Sequence, residues 1–205
     1  MEFAFPDAAL KCGGGGEVVR LVLDAVRCTR GDFSLCADAE FSSGVHLVTG
    51  RIGAGKSMLG SVLAGLIRPD SGQVVLEDCG SRILLMQFPE YQVTGASLSA
   101  EAASWGVMGT EPVFSLLGAK TGSQDPFSLS RGELKRLMLA CVFAKDPDVL
   151  VLDEPYASLD EEAKGILTEL IEARRGMTVV FSHESEFAPQ TAVTWRMERG
   201  GLVRE

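Results

Sequence analysis

No apolar run in this 205-residue sequence approaches the ~20 residues that would cross a bilayer as a helix. The longest candidate, Leu137 to Ala144, is closed by Lys135-Arg136 on one side and Lys145-Asp146 on the other. Met1-Glu2-Phe3 offers neither a basic flank nor a long apolar segment, so no signal peptide is expected. Positive charge is also scarce. Nineteen Lys and Arg against 28 Asp and Glu leave a formal charge of -9, the reverse of a basic nucleic-acid footprint, and no nucleic-acid partner is expected. The five cysteines are odd in number and show no CxxC spacing, which argues against a disulfide framework or a cysteine metal site and for small buried residues. Internal repeats and long heptad runs are missing too. What remains is a 46% hydrophobic chain, long enough for one α/β domain with a sizeable core and expected to be soluble or peripheral to a membrane.

The most informative stretch is Gly50-Arg51-Ile52-Gly53-Ala54-Gly55-Lys56-Ser57. It follows the apolar run Val45–Thr49 and precedes a helical pattern from Lys56 to Ile67, the strand–turn–helix context in which GxxxxGK[ST] cradles a phosphate. Glycines let backbone N–H groups converge on phosphate oxygens. The helix N-terminus adds partial positive charge. Lys56 can bridge terminal phosphates and the Ser57 hydroxyl can ligate Mg²⁺. Gly50, Arg51, Ile52, Gly53, Ala54, Gly55, Lys56, Ser57 and Met58 are therefore the candidate nucleotide contacts.

Along the chain, residues 1–16 are expected to be loose, with a four-glycine run at Gly13–Gly16. Val18–Leu23 and Phe33–Phe41 read as strands joined by a hairpin turn at Thr29-Arg30-Gly31-Asp32. Gln73–Glu77 and Ile83–Gln87 read as further strands. From Phe88 to about residue 144 the texture suggests a helical insertion, with pieces at Leu98–Trp105 and Pro112–Leu117. It ends in an amphipathic helix, Ser130–Ala144, whose apolar face is Leu134, Leu137, Met138, Cys141 and Val142. Val149–Leu152 is a continuous apolar run, as in a buried parallel strand. Glu161–Arg174 reads as a helix with acids early and arginines late, as the helix dipole favours. Thr178–Phe181, Val193–Met197 and Leu202–Arg204 complete the strands. The alternation implies an α/β fold with a mainly parallel sheet, helices on both faces and an N-terminal antiparallel β portion, all in one domain over residues 1–205.

Asp153 and Glu154 end the buried Val149–Leu152 run, where ligands bind in parallel sheets. Asp153 is the candidate holder of Mg²⁺, and Glu154 the candidate general base for an attacking water. Ser130-x-x-Glu133 is a capping box and, by the same token, a possible anion site. Asp160 stands where the first turn of a helix favours an acid. His46 is read as structural.

The order of these motifs resembles the ATP-binding subunits of ABC transporters over nearly the whole chain from Val18. The resemblance assigns the phosphate loop to Gly50–Ser57, a Q-loop glutamine to Gln87, the signature to Leu129-Ser130-Arg131-Gly132-Glu133, the D-loop to Ser158-Leu159-Asp160 and the switch histidine to His183. It implies a P-loop NTPase core with an inserted helical subdomain, and ATP and Mg²⁺ as cofactors. Catalytic roles fall to Glu154, His183 and Gln87. Metal contacts fall to Ser57, Gln87 and Asp153, and a γ-phosphate contact in the opposite subunit to Ser130 and Gly132. The signature departs from the common pattern at Arg131 and Glu133. The usual base-stacking aromatic is also missing, leaving Arg30 or Cys28 at its place, and a guanidinium plane can stack on a base. Gln87-Phe88-Pro89-Glu90-Tyr91-Gln92 resembles the energy-coupling-factor subgroup, importers of vitamins and of nickel or cobalt ions. The chain is shorter than most of that subgroup, and a C-terminal extension is not expected.

The resemblance thus implies an ATP-hydrolysing subunit of an importer. It would sit on the cytoplasmic face of the cell membrane and pair with a second ATP-binding subunit, identical or not, and with a transmembrane subunit. The alternative is a soluble ABC-type ATPase acting on DNA or ribosomes. Long heptad runs would mark the former and two ATPase domains in one chain the latter. A P-loop kinase would lack the signature and the switch histidine.

Overall fold

The computed structural model describes residues 18–205; the expectation for residues 1–16 lies outside them. Its centre is a nine-stranded sheet in the order β4-β1-β2-β9-β8-β3-β7-β6-β5. The strands are β1 (Arg20–Arg30), β2 (Phe33–Ser42), β3 (Gly44–Gly50), β4 (Ser71–Glu77), β5 (Arg82–Leu85), β6 (Val149–Asp153), β7 (Met177–Phe181), β8 (Val193–Glu198) and β9 (Gly201–Arg204). The block β8-β3-β7-β6-β5 is parallel throughout. β1 pairs antiparallel with both β2 and β4, so the antiparallel portion draws one strand from beyond the phosphate loop. The expected α/β architecture is therefore present.

Period-2 alternation explains why the central strands read as unbroken apolar runs. Val149 and Val151 of β6 join one apolar cluster, with β1, β2 and α1 (Lys56–Leu63). Leu150 and Leu152 join the other, with α2 (Leu98–Ser104), α3 (Pro112–Leu116), α4 (Arg131–Lys145) and α5 (Glu161–Ala173). A strand buried on both faces has no polar side to show.

Several boundaries differ from those read in the sequence. β1 runs on to Arg30 through a bulge between Leu23 and Val26, with Ala25 at φ 47°. α1 ends at Leu63 rather than Ile67, because Gly65 turns left-handed at φ 74° and its neighbour Leu66 bonds back to the Ser61 carbonyl. β5 stops at Leu85, so Gln87 lies beyond the strand. There the Gln92 side chain takes over the pairing, accepting from Met86 N (2.8 Å) and donating to Leu84 O (2.7 Å). α4 is buried almost all round, not on one face. α5 ends at Ala173, and Arg174 turns inward, away from any dipole role. It is fully buried, paired with Asp146 and donating to Pro147 O and to Thr178 Oγ1 (3.1 Å). Of the described cysteines, Cys28 and Cys141 are buried, but Cys36 is exposed.

Candidate active site

β3 delivers the chain to the phosphate loop at Gly50, where a Cβ would meet the Met197 carbonyl oxygen at 2.5 Å. Gly53 and Gly55 adopt φ 80° and 103°, a region costly to other residues. Gly55 N-caps α1 without a side-chain hydrogen bond, which leaves the first amides of that helix free for an anion. The loop is braced from behind: Gly200 N donates to Ala54 O (3.2 Å), and a Cβ on Gly55 would meet the Phe33 ring at 2.6 Å.

Around this loop the structure gathers a cleft of about 330 Å³. Lys56, Ser57, Gln87, Asp153, Glu154 and His183 all line it, together with Arg51, Ile52, Gly53, Gly55 and Met58. Lys56 Nζ donates to Gly50 O (2.6 Å), and Ser57 Oγ donates to Asp153 Oδ2 (2.8 Å). Burial pushes the Asp153 carboxyl above its ordinary range, opposed by the Ser57 hydrogen bond, raised again by Glu154 and lowered by Lys56 and Lys135. Glu154 takes a left-handed φ of 48°, its N–H bonded to Phe181 O (2.8 Å), which turns the carboxylate to within 2.9 Å of His183 Nδ1. Both acids are less than a tenth exposed, whereas His183 is largely open to solvent.

The oxygen set Ser57, Gln87 and Asp153 fits Mg²⁺, which takes one or two carboxylates and completes its shell with water and substrate phosphate. No cluster of three or more His, Cys, Asp or Glu suited to holding a metal occurs among the described residues.

Ser130, Gly132 and Asp160 are elsewhere. They line a separate cavity of about 710 Å³ with Lys120, Glu133, Arg136 and Ser158. Ser130 caps α4 in a complete capping box with Glu133, whose carboxyl is held down at about 2 by Lys120 and by the Ser130 hydrogen bonds. Gly132 has no room for a side chain, since a Cβ would meet Ser158 O at 2.7 Å. Asp160 is the N-cap of α5, accepting from Ala163 N (2.9 Å), and pairs with Arg136 at 2.5 Å. Arg30 faces neither cavity; it bonds its own neighbour's carbonyl at Thr29 and pairs with Asp70 at 3.5 Å. Cys28 is fully buried. The aromatic at the phosphate cleft is Phe33, the direct partner of Arg30 across the hairpin. Sequence reasoning passed over it, although the register of that turn could have pointed to it.

A parallel sheet with a glycine-braced phosphate loop at the end of β3 and two acids at the end of β6, two strands away, defines a P-loop nucleotide-binding domain. More narrowly, the chain belongs to the ABC transporter family, whose profile matches residues 40–157. Among curated proteins it is similar to the energy-coupling factor transporter ATP-binding protein EcfA2 of Symbiobacterium thermophilum, at 33% identity over 73% of this chain and 63% of that one. The same-named protein of Streptococcus sanguinis is 32% identical over 82% of this chain and 71% of that one. The chain thus spans about two thirds of the length of these relatives. Among solved structures, a dimeric ATP-binding cassette in a post-hydrolysis state bound to ADP and Pi superposes with a TM-score of 0.70 at 18% identity, over 91% of this chain and 97% of that one. That likeness concerns the fold.

Proposed function

We propose that this chain is the ATP-hydrolysing subunit of an ABC-type membrane importer of the energy-coupling-factor kind, acting as one half of an ATP-closed pair. The observation that carries the pairing is the separation of the two cavities. Ser130 and Gly132 lie apart from the phosphate cleft of their own chain, so a second ATP-binding subunit, identical or related, has to bring its own copies to that cleft. The relatives' name, energy-coupling factor transporter ATP-binding protein, supports the importer assignment, and the dimeric neighbour supports the pairing.

Within such a pair the phosphate loop amides and Lys56 hold the terminal phosphates. Ser57, Asp153 and Gln87 would hold Mg²⁺, which when bound offsets phosphate charge. ATP arrival exchanges the internal bonds Lys56–Gly50 and Ser57–Asp153 for ligand contacts. Glu154 takes the proton of the attacking water. His183, beside it at 2.9 Å, would contact the γ-phosphoryl group as it passes to that water and ADP departs. Ser130 and the Gly132 N–H close the site from the other chain.

No described helix is long and apolar enough to cross a membrane; the importer reading implies that residues 18–205 act as a single peripheral unit on the cytoplasmic face. Its contact with a transmembrane subunit is assigned to the turn at Pro89–Tyr91, where Tyr91 is 79% exposed and Phe88 packs edge-on against it at 6.2 Å. Affinity purification from native membranes tests this. A polytopic membrane protein is expected to copurify and to be lost with Tyr91→Ala. Recovery of the intact chain without any such partner would contradict the importer reading.

A further inference from the structure

Lys135 is only 2% exposed, a rare place for lysine unless its charge is answered. It lies in α4, one turn beyond the Ser130 cap. Its Nζ donates to the Gln87 carbonyl at 3.3 Å. The charges that face it come from other elements: Asp153 and Glu154 at the end of β6, and Glu90 in the turn after Gln87. Burial presses the ammonium pKa down to about 8, against the upward pull of those three acids. The next residue, Arg136, reaches the other way, to Asp160 (2.5 Å) and Leu117 O (3.2 Å). One helix therefore starts at the signature serine and grips the backbone of Gln87 from inside the protein. Packing alone does not call for a charge there, since a methionine of similar length would fill the volume without the cost of burying an ammonium.

We propose that Lys135 is a positioning residue of the ATP site: its buried ammonium fixes the Gln87 backbone to the signature helix and sets a positive charge opposite the Asp153–Glu154 pair. Any shift of α4 is then carried directly to the residue that approaches the metal and phosphate. The turnover part of this proposal rests on the ATPase reading above; the hold on Gln87 does not.

The test compares Lys135→Met, Lys135→Gln and Lys135→Arg in the full chain. It reads amide exchange over residues 86–92 without nucleotide, together with kcat and KM for Mg-ATP. The methionine variant is expected to exchange at least about 10-fold faster in that segment and to lose roughly 10- to 100-fold in kcat, the usual penalty for a small misplacement near the chemistry, with KM moved less than about 3-fold. Arginine is expected to restore kcat to within about 3-fold of the parent. Glutamine can still donate to the carbonyl but carries no charge, so slow exchange should return while kcat stays low. A methionine variant with unchanged exchange and kcat within about twofold of the parent would overturn the proposal. If methionine prevents folding, equal kcat for the glutamine and arginine variants would overturn the role of the charge. A parent chain that does not hydrolyse ATP would remove the ATPase reading instead, and the exchange data alone would then decide the Gln87 contact.

Discussion

Glu154→Gln is the substitution whose consequence follows most directly from the geometry. The glutamate backbone is locked by its left-handed φ and by the N–H bond to Phe181 O, and neither depends on the side-chain charge. The amide is isosteric and can still accept at 2.9 Å from His183 Nδ1, so shape and fold survive. What is lost is the proton acceptor for the attacking water. A positioned general base contributes about 10²–10⁴ in rate, or about 2.7–5.5 kcal/mol of barrier. Turnover measured by phosphate release should fall by that factor. ATP affinity should hold or tighten, because a negative charge next to Asp153 has been removed from a buried site. With hydrolysis blocked, the ATP-bound pair should accumulate as a larger species on size exclusion. Turnover within about twofold of the parent would refute the assignment of Glu154 and, with it, the proton path.

Three further outcomes test the surroundings of the site and the core behind it. With the base assigned to Phe33, the aromatic that lines the phosphate cleft, Phe33→Ala should weaken ATP binding by about 5- to 100-fold, the worth of a base–aromatic stack. Arg30→Ala, which removes a half-exposed pair with Asp70, should change it less than about 3-fold; isothermal titration with ATP and GTP reads both. His46 is buried with Nε2 on Ser42 O (2.7 Å) and Nδ1 accepting from Trp195 Nε1 (3.1 Å), and burial lowers its pKa. The unfolded chain therefore takes up the proton first, so this contribution to stability is whole above the ordinary histidine pKa and shrinks as pH falls below it. Urea midpoints should drop further between pH 7 and 5.5 in the parent than in a His46→Asn variant.

The phosphate loop, the buried β6 run with its terminal acids and the capped start of α4 were legible because each is local: a turn, an alternation and a cap need only neighbouring residues. Gln87 was read as strand because Ile83–Gln87 is continuously compatible with one. The residue that ends it is Gln92, whose side chain replaces the ladder, a contact no periodicity announces. Arg174 fitted a helix-end pattern but is drawn inside by Asp146, Pro147 and Thr178. Lys135 was hidden for the same reason: a lysine after a capping box reads as solvent-facing, and only the tertiary arrangement brings Gln87 and the β6 acids around it. Phe33 reaches the phosphate loop only through strand pairing across the hairpin.

The central claim is that a catalytic centre is shared between chains, and specific ATPase activity as a function of chain concentration tests it most directly. For the isolated chain, or the chain with its native ATP-binding partner, phosphate release per mole should fall toward zero on dilution below the dissociation constant of the pair, and Ser130→Arg should abolish it at every concentration. Constant activity per mole across the dilution series, with the Ser130→Arg chain as active as its parent, would contradict the account.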